Sequence, residues 1–331
     1  MMRSIWLFFM FASLGAKEFP VKYVSVYGFF KGCDVASDCT KDESGNPNDY
    51  IFPEKIRSGD VIWVQSGWLP VFYKDCLPRI KVPFVLVVHH GDESFPTSHQ
   101  NSIDIEGLIA NPYVLHIFAQ NCDYTGPQID KISPIPLGID YHTLAHGGGA
   151  FDEKKQTPQQ QEAVLENIIH SLEPTRGRIP KALVEFHHHD TIAHGWSHVN
   201  RYLAPGETRK SIAEKIASSG VVDFMPKRVI RRESWRFKGQ YAFSICPPGN
   251  GLDTLRVWED LILGCICIVK NSPMDRLFEG LPVVIIQDWS EINEDNFTKW
   301  LSQYGDAFEN PEYRKKLTLA YWMDKINQCT K

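Results

Sequence analysis

No apolar run in this sequence reaches the length of a membrane span. The strongest, Ile5 to Ala16, falls short of the about 20 residues that a transmembrane helix needs. Nor is there a surplus of positive charge: 35 lysines and arginines face 40 aspartates and glutamates, a net charge of −5. That balance excludes the electrostatic footprint of general nucleic-acid binding and leaves room for a local basic pocket. The 8 cysteines, at 33, 39, 76, 122, 246, 265, 267 and 329, form no CxxC pair and no zinc-ribbon pattern, and no disulfide connectivity follows from them. A Walker A sequence is missing, as is a GxGxxG followed by a ribose-binding acid, so the ATPase and dehydrogenase readings lose their main supports. GxSxG is missing too, and with it the case for a serine hydrolase.

What is present describes a folded α/β protein. Hydrophobic residues make up 43%, charged residues 23% and aromatics 12% of 331 residues, ordinary soluble usage at a length that favours two lobes. Residues 1–19, with Arg3 ahead of the apolar run and Lys17, Glu18, Phe19 and Pro20 behind it, are expected to be a signal peptide or a short membrane anchor. Short β-rich runs follow at Tyr23 to Phe29, Val61 to Val64, Phe84 to His89, Leu115 to Ala119 and Ile135 to Ile139. Their near-continuous apolar character predicts a parallel, doubly wound sheet covered on both faces, an N-terminal lobe over 20–145.

Residues 146–180 read as a linker, with Gly147 to Gly149, a polar stretch from Gln156 to Gln161, and a helix from Glu162 to Ser171. A second α/β series over 181–310 has strands at Ala182 to Phe186, Tyr241 to Cys246, Ile266 to Val269 and Val283 to Ile286. Helices are predicted at Thr208 to Ser218 and Thr254 to Leu263. Cys265 and Cys267, two apart in a strand-like run, share one face and read as small buried hydrophobes. Residues 311–331 carry Leu317, Ala320, Tyr321 and Ile326 at helical spacing, which predicts an amphipathic helix packing back across the lobes.

Chemistry concentrates in Phe243 to Asp260: an apolar strand, the Pro/Gly turn Pro247-Pro-Gly-Asn-Gly251, then a helix. Gly249 and Gly251 allow positive φ and close backbone approach, Asn250 sits between them, and Asp253 or Thr254 can cap the helix. The helix N-terminus favours an anion, and Arg256 adds a fixed positive charge. Arg256 and Glu259, three apart, share a helical face. A nucleoside diphosphate requires such a pair: a guanidinium for phosphate oxygens and a carboxylate for the ribose hydroxyls.

The stretch PPGNGLDTLRVWEDLILGCICIV, with LPVVIIQDWSEI after it, resembles the C-terminal lobe of exostosin-like glycosyltransferases over residues 241–295. The resemblance implies an α/β fold of GT-B type, two Rossmann-like lobes with parallel sheets facing a cleft. It also implies a nucleoside-diphosphate-sugar donor on the second lobe, and inversion at the anomeric carbon with no metal or other cofactor required. Arg256 then corresponds to a phosphate contact and Glu259 to the ribose-binding acid. The first lobe resembles the family faintly, through Ser133-Pro-Ile-Pro-Leu-Gly-Ile-Asp140.

Other candidates surround this motif. Arg209 begins a helix, where a side chain can reach the cleft beside the diphosphate or simply meet solvent. Arg228, Arg231 and Arg232 form a basic cluster that reads as a surface loop. An inverting transfer needs a base from the first lobe, and His89, His90, Asp92 and Glu93 lie at the carboxyl end of an apolar strand, where α/β sheets place ligands. Among these, His90 and Asp92 are the candidate catalytic residues. The run His187-His-His-Asp190 with His194 and His198 invites a zinc reading, but adjacent histidines on an extended segment point apart and no HExxH is present.

The reading that results is a glycosyltransferase with a nucleoside-diphosphate sugar and a glycan acceptor as partners, and no nucleic acid. The alternatives are a catalytically inactive carbohydrate-binding protein on the same fold and a zinc hydrolase using the histidines. A processed leader implies the secretory pathway or Golgi lumen, or a membrane-associated protein; a bacterial source would place it in the cytoplasm.

Overall fold

A computed structural model of the chain describes residues 19–36, 53–147, 154–186 and 202–331. The described strands form two five-stranded sheets with parallel pairing throughout. The first contains β1 (Val35–Ala36), β2 (Asp60–Gln65), β3 (Phe84–His89), β4 (Val114–Ala119) and β5 (Ile132–Pro134), side by side in chain order. Its helices are α1 (Val26–Gly32), α2 (Leu69–Val71), α3 (Ile105–Ala110) and α4 (His142–Ala145). Helix α5 (Pro158–Ser171) then leads to the second sheet, of β6 (Ile179–Val184), β7 (Val222–Phe224), β8 (Tyr241–Ile245), β9 (Ile266–Lys270) and β10 (Val283–Ile286). Its order is β10-β9-β8-β6-β7, and its helices are α6 (Arg209–Ile216), α7 (Arg231–Lys238), α8 (Leu255–Ile262) and α9 (Glu294–Tyr304). The chain ends in α10 (Pro311–Lys315) and α11 (Leu319–Gln328).

The apolar run at Phe84 becomes the central strand of the first sheet, with every residue of β3 buried, as a strand covered on both faces requires. Three expectations for this lobe fail. Tyr23 to Phe29 is not a strand: Tyr23 and Ser25 make isolated bridges to Thr318 and Ile139, and Ser25 then caps α1 by accepting a hydrogen bond from Gly28 N at 3.0 Å. The Ile135 to Ile139 run is connecting chain, because β5 lies at the sheet's edge and Pro134 and Pro136 have no N–H to extend a ladder. Among the described strands the order also shows no reversal, so they lack the doubly wound order expected of this lobe.

Helix α5 begins four residues before the expected start, at Pro158, behind a capping box between Thr157 and Gln160. The expected single C-terminal helix is two, since Thr318 starts α11 as a fresh N-cap accepting from Tyr321 N. Helix α11 lies on α1, with Leu319 and Met323 filling the space where Gly28 and Gly32 have no side chain.

The two lobes meet through polar contacts. Arg231 Nη2 reaches the Asp140 carboxylate at 2.5 Å, and its Nη1 reaches the Asp140 carbonyl at 2.5 Å and Gln161 Oε1 at 3.1 Å. Leu137 N donates to Asp253 Oδ2 at 2.7 Å, Asp253 N donates to Asn121 Oδ1 at 2.8 Å, and Arg276 Nη2 approaches Cys122 Sγ at 3.2 Å. The side chains of Arg231 and Asp140 are 17% and 6% exposed, so removing one strands the other's charge. Asp140→Ala is therefore expected to lower the unfolding free energy by about 3–5 kcal/mol, read from urea denaturation.

Candidate functional site

In the second sheet the chain runs from β6 to β7 on one side and returns to β8 on the other, so the strand order reverses between β6 and β8. Open α/β sheets bind ligands outside the carboxyl ends of the strands at such a point. Here that place is occupied by Glu185 and Phe186 after β6 and by the loop from Cys246 to Thr254 after β8.

Gly249 and Gly251 are required for space and not for backbone sign, because neither has a positive φ. A Cβ on Gly249 would lie 3.0 Å from Arg209 Nη2, and one on Gly251 would lie 2.6 Å from Asn121 Nδ2 of the first lobe. Asn250 is exposed at the tip between them. Thr254 is the N-cap of α8, yet its hydroxyl makes no capping bond and is buried without a hydrogen-bond partner. Asp253 is a lobe-to-lobe tie: its carboxylate accepts from Leu137 N, Thr254 N and Trp258 Nε1, so the expected phosphate-side capping role is not what it does.

Arg209 and Arg256 converge on this loop. Arg209 Nε donates to the Pro248 carbonyl at 2.9 Å, and its guanidinium stands 5.9 Å from the centre of the Phe186 ring. Burial, and then the charge of Arg256, lower its pKa to about 10. Arg256 Nε is buried with no hydrogen-bond partner, and neither arginine has an ion pair among the described residues. Guanidinium groups without an ion-pair partner can bind the oxygens of an anion; the Glu185 carboxylate, paired with Lys238, also feels the charge of Arg256. A small open depression lies beside Pro248, lined in part by Leu252, Val257, Phe278, Asn271 and Ser272.

Glu259 sits one turn beyond Arg256 with its side chain 12% exposed, 3.5 Å from Lys238 Nζ. Burial raises its pKa, with Lys238 opposing. Lys238 also pairs with Glu185 at 2.8 Å and Asp260 at 3.0 Å, so a single buried ammonium serves three carboxylates.

Across the seam, His90 follows β3 in the left-handed region, φ 59°, with its N–H donating to Gln120 Oε1 at 2.9 Å. Its Nδ1 is buried without a partner, and burial lowers the pKa to about 4, so the ring is neutral. Asp92 and Glu93 are half-buried in the loop that follows. His89 belongs to the core, its Nε2 2.9 Å from the Pro136 carbonyl.

Two residues escaped the sequence reading. His142 Nδ1 stands 2.9 Å from Asp140 Oδ1, and its ring centre is 5.7 Å from that of His90. Asp140 closed the quoted first-lobe motif and His142 follows two residues later, but only the fold brings both beside His90. Arg231 is likewise no surface-loop residue: it starts α7 and grips Asp140, whereas Arg228 and Arg232 are exposed.

The histidines at 187–189, 194 and 198, with Asp190, lie outside the described residues, as does most of the leader. Among the described residues no group of three or more metal-ligating side chains occurs. Cys265 and Cys267 are buried thiols, in keeping with their apolar reading. No described helix is long and apolar enough to cross a membrane.

Two five-stranded parallel sheets, each with its own helices, define the class: an α/β chain of two Rossmann-like lobes. No family model matches it, the exostosin family included, and no curated protein matches in sequence. Among solved structures, it is similar to a UDP-forming alpha,alpha-trehalose-phosphate synthase from Burkholderia xenovorans, at 15% identity and TM-score 0.43, covering 84% of this chain and 75% of that one. It is similar to the N-terminal domain of Candida albicans trehalose-6-phosphate phosphatase at 12% identity and TM-score 0.43, covering 89% and 75%. A third is the pneumococcal O-GlcNAc transferase GtfA in complex with UDP and GlcNAc, at 12% identity and TM-score 0.32, covering 83% and 54%.

Gly251→Ala is expected to push Asn121 off its bonds to Gly91 O and Asp253 N, at a cost of about 1–3 kcal/mol read by thermal unfolding. The pH dependence of stability has a definite sign. Burial lowers His89 to about 3 and His90 and His116 to about 4, so the stability they allow is complete above about 6.5 and lost as pH falls. Asp253, raised to about 6 by burial, acts in the opposite sense, its contribution being lost as pH rises through 6. Near pH 5, three protons taken up on unfolding against one released leave a net uptake of about two, so stability should fall by about 3 kcal/mol per unit of acidification, measured by denaturation across pH 4.5–6.

Proposed function

We propose that this chain is a glycosyltransferase that takes a sugar from a nucleoside-diphosphate donor and passes it to a glycan or glycoconjugate hydroxyl, in the manner of the exostosin-like enzymes its motif resembles. One observation carries the reading: Arg209, bonded to the Pro248 carbonyl, and Arg256, in the first turn of α8, flank the loop at the strand-order reversal, and neither is in an ion pair among the described residues. A structural arginine pair would be expected to have acidic partners; a pair awaiting a diphosphate would not. In this reading the loop from Gly249 to Thr254 and the two guanidinium groups hold the pyrophosphate, and Glu259 takes the ribose. As the bond to the leaving diphosphate breaks, charge gathers on its oxygens, and the arginines stabilise that charge more than the ground state.

The base belongs to the first lobe, where His90 and Asp92 lie at the carboxyl end of β3. We include in the proposal inversion of configuration and no resident metal. The proposed setting is the secretory lumen or a membrane surface, or the cytoplasm should the source be bacterial.

Calorimetry with UDP and GDP tests the anion site. Arg256→Ala should weaken nucleoside-diphosphate binding by about tenfold or more, since a charge-assisted hydrogen bond contributes about 1.5–3 kcal/mol, while leaving the thermal midpoint nearly unchanged. Unchanged affinity sinks the assignment. Slow release of nucleoside diphosphate from one member of a nucleotide-sugar panel identifies an enzyme; binding without release identifies a carbohydrate-binding relative.

A further inference from the structure

Within the transferase reading, on which this rests, the first lobe carries several imidazoles near the seam, and the geometry separates them. His90 has no carboxylate within ion-pair distance, its ring is largely buried, and it is packed edge-on against Trp63. His142 is different in each respect. Its side chain is 44% exposed, it lies at the start of α4 on the seam, and its Nδ1 is 2.9 Å from Asp140 Oδ1.

Asp140 is built to hold that contact. Its side chain is 6% exposed; Oδ1 also accepts from Thr143 N at 3.0 Å, and Oδ2 accepts from Arg231 Nη2. Burial alone would raise its pKa, but the bond to His142 and the charge of Arg231 hold it well below the usual carboxylate range. The carboxylate is thus permanently charged, fixed at both oxygens, and aimed at one nitrogen of an exposed ring. Such a partner selects the tautomer with its proton on Nδ1, leaving Nε2 as the basic nitrogen, and stabilises the imidazolium that forms when Nε2 takes a proton. Arg231 comes from the start of α7, which packs against α8, the helix that carries Arg256 and Glu259.

We propose that His142 is the general base of the transfer and that Asp140, held by Arg231 from the opposite lobe, is its positioning residue. The acceptor oxygen bonds to the anomeric carbon while the bond from that carbon to the diphosphate oxygen breaks. The bonding pair leaves on the diphosphate, between Arg209 and Arg256. The acceptor proton passes to His142 Nε2, and the Nδ1 proton stays directed at Asp140. The described charged and titratable groups around the ring are Asp140 on its own segment, His90 after β3, His146 one turn on in the chain, and Arg231 from α7.

The test uses the full chain and water as acceptor, following nucleoside-diphosphate release from a panel of UDP- and GDP-sugars across pH 5–9. His142→Gln should cut the turnover rate by about a hundredfold or more, remove the acid limb of the pH–rate profile, and leave the calorimetric affinity for UDP or GDP unchanged. Asp140→Asn should lower turnover and shift that limb. In the imidazole nitrogen NMR spectrum it should also move His142 off the Nδ1–H tautomer, a change that loss of stability alone would not produce. His170→Gln, on the exposed side of α5, should change nothing. An intact acid limb in His142→Gln, with Arg256-dependent nucleotide binding, overturns the base assignment and leaves the donor site standing. Absence of any nucleoside-diphosphate binding, or binding without release from any panel member, overturns the base assignment together with the transferase reading.

Discussion

A buried carboxylate ties the two halves of this protein together. Asp253 leaves the motif loop of the second lobe, accepts an N–H from Leu137 of the first, and is held in place by Thr254 N and the indole of Trp258. An unpaired buried carboxylate would be costly, and these donors are what make its burial tolerable. Because Asn121 also accepts from Asp253 N and fills the space beside Gly251, the motif loop takes its conformation from contacts on both lobes. The site proposed at that loop is therefore a property of the pair and not of the second lobe alone.

Charge inside the second lobe is arranged around Lys238. Burial disfavours its ammonium, yet Asp260, Glu185 and Glu259 raise its pKa beyond the ordinary value, so it stays protonated at any working pH. Glu259, 3.5 Å from that ammonium, lies one turn from Arg256 on α8. Arg209 and Arg256 make no ion pair among the described residues, and the contrast is chemical: the lysine is neutralised from within, whereas in the proposed reading the arginines take their charge partner from outside.

Much of this was legible in the residues. The buried strand at Phe84 to His89, the strand–turn–helix order of the motif, the parallel α/β class and the presence of Arg256 on the motif helix all followed from periodicity and spacing. The failures have local causes. Tyr23 to Phe29 is rich in β-formers, but packing against α11 and the Ser25 cap make its second half a helix. Strand order in the first sheet, and with it the absence of a reversal, is a choice among topologies that a linear pattern does not encode. The same holds for Arg231, His142 and Asp140, whose types are ordinary one by one. They gain meaning from loops more than 90 positions apart in the chain being brought together, as the Arg231–Asp140 separation of 91 shows.

The return of the C-terminus has a mechanical consequence. The chain passes from the first lobe to the second after α5 and comes back before α11, which is hydrogen-bonded to the N-terminal segment through Leu319 N and the Lys22 carbonyl. The halves are thus joined by two covalent crossings as well as by the bond between Leu137 and Asp253, so separating them would have to bend the chain at two places and not one.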